Sequence, residues 1–82
     1  MKMFCDVYKG TKKEGLYIYV NREEGLDRVP QDLMKKFGEP SLALSFVLTA
    51  ERRLAKEDPE KVLAAINDNG FYLQLPPQEY TS

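Results

Sequence analysis

Ser41-Leu42-Ala43-Leu44-Ser45-Phe46-Val47-Leu48 is the stretch whose reading decides the fold. It carries no charge. Glu39-Pro40 precedes it, and Thr49, a helix-capping type, follows it. As a strand it sets Leu42, Leu44, Phe46 and Leu48 on one face and Ala43, Ser45 and Val47 on the other. An octet apolar on both faces predicts a central strand covered on both sides. Leu and Ala would also suit a buried helix, but a short apolar run between turn signals favours a strand.

The surrounding chain is small. Its 82 residues make one domain, with a core that engages most of the apolar side chains. Hydrophobic residues make up 43% and charged residues 30%, the mix of a globular protein. The net charge of -1 does not favour general attraction to phosphate backbones, so DNA is not expected as a partner. No apolar run is long enough to cross a bilayer, and Asp6 and Lys9 interrupt any signal-peptide core, so a cytoplasmic location is expected. There is no histidine and one cysteine. Catalytic triads, Cys–His dyads, His-ligated metals and disulfides are therefore excluded within these residues.

Reading outward, Lys2–Tyr8 alternates Met3, Cys5 and Val7 against Phe4, Asp6 and Tyr8. Leu16–Val20 alternates aliphatic residues against Tyr17 and Tyr19. Joined by the polar Lys9–Gly15 loop, the two predict an antiparallel hairpin. Residues 21–29 read as irregular, with a turn at Leu26-Asp27-Arg28. Pro30 suits the first turn of a helix that docks Leu33, Met34 and Phe37 and stops at Gly38. Thr49 is expected to cap a short basic helix opened by Ala50-Glu51 and carrying Arg52, Arg53, Leu54, Ala55 and Lys56. Asp58-Pro59-Glu60 starts another helix, along Val62, Leu63, Ala65 and Ile66, which Gly70 ends. Phe71–Leu75 is the last strand, closed by Pro76-Pro77.

Met3-Phe4-Cys5 with Tyr8, Arg28-Val29-Pro30, Phe37-Gly38-Glu39-Pro40 and the closing Gly70-Phe71-Tyr72-Leu73-Gln74-Leu75-Pro76-Pro77 resemble the YcgL family of small bacterial proteins. The spacing matches from Met3 to Pro77, and Tyr72–Pro77 is the most specific piece. The resemblance implies a small α/β/α sandwich in a bacterial cytoplasm and no particular reaction. Genes of some members lie near a ribonuclease gene, an associational pointer to RNA metabolism. Asp6 stands where the family pattern is apolar, which counts against an essential role for its carboxylate.

Each chemically suggestive feature has a plainer explanation. Cys5 lies on an apolar face with no base to activate it, so it reads as core. Phe4, Tyr8, Tyr17, Tyr19 and Tyr72 each oppose the aliphatic face of their own strand. Aligned by the sheet they would make a base-stacking platform; under a helix they would be a second core layer. Lys9/Lys12/Lys13, Lys35/Lys36 and Arg52/Arg53/Lys56 are interleaved with acids, as solvated surfaces are. Glu23-Glu24 and Glu57–Glu60 read as surface and helix-cap carboxylates.

The expectation is thus an α/β (α+β) domain over 1–77 with a frayed tail over 78–82. Its element order is β-β-α-β-α-α-β, around a mixed, mostly four-stranded sheet. The expected function is a non-enzymatic protein-interaction or regulatory module with no cofactor, metal or catalytic residue and no membrane partner. The alternative is an RNA-associated accessory protein using an aromatic sheet face with a basic rim. Tyr17, Tyr19, Tyr72, Arg52 and Arg53 are the candidate contact residues.

Overall fold

The computed structural model describes residues 2–54 and 57–76. In chain order these form β1 (Lys2–Lys9), β2 (Tyr17–Asn21), α1 (Gln31–Phe37), β3 (Ser41–Thr49), α2 (Pro59–Asn69) and β4 (Tyr72–Gln74). The strands make one sheet in the order β3-β1-β2-β4. All three pairings are antiparallel, where a mixed sheet was expected. The first two strands are the expected hairpin, with Val7 opposite Tyr19 and Asp6 opposite Val20.

The helices lie on opposite faces of this sheet, so the sandwich is present. Alternation along β1 and β2 creates two apolar surfaces. Met3, Cys5, Val7 and Tyr19 join Leu48 under Val62, Leu63 and Ile66 of α2. Ile18 and Val20 join Leu16, Val29 and Phe37, with Leu33 and Met34 of α1 packed against them. Each helix begins and ends where its sequence signals fall. Pro30 stands just before α1, and the Gly38 N–H closes that helix onto the Met34 carbonyl. Asp58 caps α2 by accepting from the Glu60 N–H at 3.0 Å, with Pro59 in the first turn. Gly70, at φ 91°, ends α2 in the left-handed region that glycine tolerates best.

Two further expectations fail. The octet is not a central strand: β3 is at an edge of the sheet, and Ser41–Ser45 are all exposed, Leu42 and Leu44 each at 55%. The strands between two partners are instead β1 and β2. The reason is one of supply. Helices of 7 and 11 residues are only about 10 and 16 Å long. Two such helices cannot roof both faces of a sheet that carries a nine-residue strand at its edge. Only the Phe46–Leu48 end of β3 reaches the α2 core, where Leu48 is fully buried.

The second failure is the basic helix after Thr49. Ala50 and Glu51 form a turn closed by the Arg52 N–H on the Thr49 carbonyl, and Arg52–Leu54 are neither helix nor strand. A segment offering only Leu54 and Ala55 to a core gains too little from docking to offset helix nucleation. Ala55, Lys56 and the tail over 78–82 lie outside the described residues. Asn21 ends β2, and residues 22–28 are a succession of turns, where an irregular stretch with one turn at Leu26-Asp27-Arg28 was expected. β4 is shorter than expected, and Leu75 is exposed beyond it.

Candidate functional site

Sheet register decides which aromatic residues meet. Because Val7 faces Tyr19 and Lys9 faces Tyr17, the aliphatic side of β1 shares a face with the tyrosines of β2. Tyr72, opposite Tyr19 across β2–β4, joins them. Phe4 and Tyr8 fall on the opposite face. The five aromatics therefore form no single platform: each strand alternates as expected, but the pairing places the strands out of phase.

Tyr17, Tyr19 and Tyr72 remain together on the α2 face, joined by Phe46 of β3. The Tyr19 ring meets Tyr72 edge-on at 5.8 Å between centroids and Phe46 edge-on at 6.4 Å, a favourable arrangement for aromatic quadrupoles. Tyr19 is only 9% exposed and belongs to the core beneath α2. Its hydroxyl donates to Gln74 Oε1 at 2.5 Å, and the Tyr72 hydroxyl donates to the Glu57 carboxylate. These tyrosines are thus a core layer whose polar ends are satisfied at the rim. Burial, followed by the charge of Glu57, raises the Tyr19 phenol. The Glu57 hydrogen bond is the main cause that pushes Tyr72 up to about 12.

Arg52 and Arg53 lie at the open end of this face. The Arg52 guanidinium sits 4.7 Å from the Phe46 ring centroid, within cation–π range. With Tyr19, Leu44, Phe46 and Leu54 the two arginines line a cavity of about 250 Å³. Neither arginine forms an ion pair among the described residues. The structure therefore brings the sequence-selected Tyr19, Arg52 and Arg53 around one hollow, with Tyr72 against Tyr19. Tyr17 lines an adjoining hollow with Val7, Ala43, Leu44 and Gln74. The parts that sequence reasoning missed are Leu44 and Phe46, because it assigned both to a covered strand.

Other chemistry-bearing residues are structurally occupied. Cys5 is fully buried, and burial followed by the neighbouring Asp6 pushes its thiol up to about 12. It is a core cysteine. Asp6 is buried on the α1 side of the sheet and accepts from Arg22 Nε at 3.1 Å and Ser45 Oγ at 2.7 Å. Sequence alone showed no sign of this three-residue cluster, since its members come from β1, from β3 and from the turn that follows β2. Glu57 and Asp58 are engaged with Tyr72 and the α2 cap. Among the described residues no group of three His, Cys, Asp or Glu could hold a metal ion. No helix among them is long and apolar enough to cross a membrane.

The lysine clusters of the hairpin loop and α1 converge. The Lys12 N–H donates to the Phe37 carbonyl at 3.1 Å, and Lys12 Nζ donates to the Lys35 carbonyl at 3.1 Å. Lys12 and Lys35 border a cavity of about 430 Å³, with Thr11, Gln31, Met34 and Glu39 among its other walls.

These features define a small antiparallel α/β/α sandwich with one open aromatic and arginine-edged end. The chain belongs to the YcgL domain family: the family model matches residues 5–77. It is 51% identical over 79 residues to a YcgL domain-containing protein of Stutzerimonas stutzeri, covering 96% of this chain and 81% of that protein. A YcgL domain-containing protein of Cellvibrio japonicus is 48% identical with the same coverage. One from Proteus mirabilis is 44% identical over 77 residues, covering 94% and 79%. These names specify the domain and neither a reaction nor a ligand.

Proposed function

We propose that this chain is a non-enzymatic interaction module of the bacterial cytoplasm that receives a protein partner on the open end of the α2 face. The observation that carries this reading is Leu44. It is 55% exposed, and it lines one hollow together with Phe46 and the arginines Arg52 and Arg53. An apolar floor edged by guanidinium groups that form no ion pair among the described residues suits an apolar anchor residue flanked by carboxylates. Arginine and aromatic side chains are the types that dominate binding energy at protein interfaces. A cavity of about 250 Å³ is below the usual size of a small-molecule site, so the surface suits a side chain rather than a whole cofactor.

Capture from cell lysate, with and without ribonuclease, tests this. Wild-type protein should retain its partner after nuclease treatment, and the double variant Arg52→Glu/Arg53→Glu should lose it. A partner held equally by the charge-reversed variant overturns the assignment of the surface.

The second reading, an RNA-associated accessory protein, draws support from the convergence of Lys12 and Lys35. Its stacking platform has less support, since Tyr19 is covered and Tyr72 lies against a carboxylate that would repel phosphate. Nuclease-sensitive partners whose retention falls steeply with salt would favour this reading.

A further inference from the structure

The outer edge of β3 has a binding chemistry of its own. The Arg22 N–H donates to the Phe4 carbonyl at 2.9 Å, and these residues continue the pairing of Cys5 with Asn21. Hydrogen-bonding direction alternates along an antiparallel ladder. Phe4, Asp6 and Tyr8 therefore turn their backbone groups toward β2, while Met3, Cys5 and Val7 turn theirs toward β3. The β3 partners of that second set are Leu48, Phe46 and Leu44. The backbone groups of Ser45 and Val47, and of Ala43 at the irregularity in register, are left on the free side. Among the described residues no strand pairs with that side.

The side chains on this edge read alike in both directions. About Ser45, Leu44 mirrors Phe46, Ala43 mirrors Val47, Leu42 mirrors Leu48 and Ser41 mirrors Thr49. Ser45 is also the middle of the outward-facing set. Two copies laid antiparallel about a two-fold axis at Ser45 would pair Ala43 with Val47 and Ser45 with itself. Leu44 would lie beside Phe46 of the second copy. The whole strand lacks charge, lysine and proline, the devices that keep free edges apart. Because the register shifts between Val7 and Tyr8, the pairing is confined to Ala43–Val47.

We propose that β3 is a self-recognition edge, through which two copies of this chain form a two-fold dimer with one continuous eight-stranded sheet. A contact that uses the same residues on both copies closes on itself and does not grow into a fibre. The inference does not depend on the partner surface proposed above. It would set two such surfaces side by side on one face of the joined sheet.

Sedimentation equilibrium of the full chain gives the first reading. The mass should rise with concentration from 9.4 kDa to twice that value, since so short a contact makes a weak dimer. Leu44→Lys should hold the chain at the single mass with its circular dichroism unchanged. Ser45→Cys should cross-link under mild oxidation, because paired residues at about 5.5 Å between Cα atoms are within disulfide reach. Ser41→Cys, which faces Thr49 in this register, should not cross-link, and the native Cys5 is buried. A mass of 9.4 kDa at every concentration would overturn the proposal. So would growth beyond the dimer, an unaffected Leu44→Lys, or equal cross-linking of the two cysteine variants.

Discussion

The hydroxyl of Tyr72 donates to the carboxylate of Glu57, joining the last strand to the segment that leads into α2. The bond needs the phenol proton, which is why Tyr72 is raised from 10.0 to about 12. The folded value lies above the unfolded one. The stabilisation is therefore complete below pH 10 and is lost as pH rises toward 12. Tyr19 shifts in the same direction. Urea unfolding of wild type and Tyr72→Phe should show a stability gap at neutral pH that narrows over this alkaline range. A gap independent of pH would separate Tyr72 from Glu57.

Cys5 should be inert in the folded chain. Its thiol is fully buried and raised from 9.0 to about 12, so thiolate is scarce below that range. Iodoacetamide should label the native protein only as fast as it opens and the urea-unfolded protein at the rate of a free thiol. Equal rates would contradict the packing of β1 under α2.

Asp6 should be a stabilising residue. Removing its carboxylate leaves Ser45 and Arg22 without their acceptor on a half-covered face, a loss of about 1–3 kcal/mol. Asp6→Ala should lower the urea midpoint without changing its slope. Asp6→Asn, which keeps an acceptor oxygen, should fall between the two.

Gly10 should not accept a side chain. A Cβ there would overlap the carbonyl oxygen and ring of Phe37 at the end of α1. Gly10→Ala should therefore destabilise the chain by about 1–3 kcal/mol, the range for overpacking. Phe37→Ala, which empties a fully buried site, should cost about 3–5 kcal/mol. Thermal unfolding of both variants checks the docking of the hairpin loop on α1.

Much of this architecture was legible locally. The Asp58-Pro59 cap, the glycine stops at Gly38 and Gly70, the β1–β2 hairpin and the core cysteine follow from short-range rules: a cap or a missing Cβ acts within one turn of chain. The candidate surface was legible only in part. Arg52, Arg53 and the tyrosines stood out as types, whereas Leu44 and Phe46 were hidden by the assignment of their strand. The helix expected after Thr49 failed because capping signals start a helix but do not supply the apolar contacts that sustain it.

Alternation and end signals in the amino-acid order determined which segments extend, which coil and where each stops, because these depend on neighbours along the chain. Strand order, and with it the exposure of β3, was settled only in three dimensions. A side chain's company across a sheet depends on register, and its cover depends on where two short helices come to rest. Neither distance is written in the spacing of residues along a single strand.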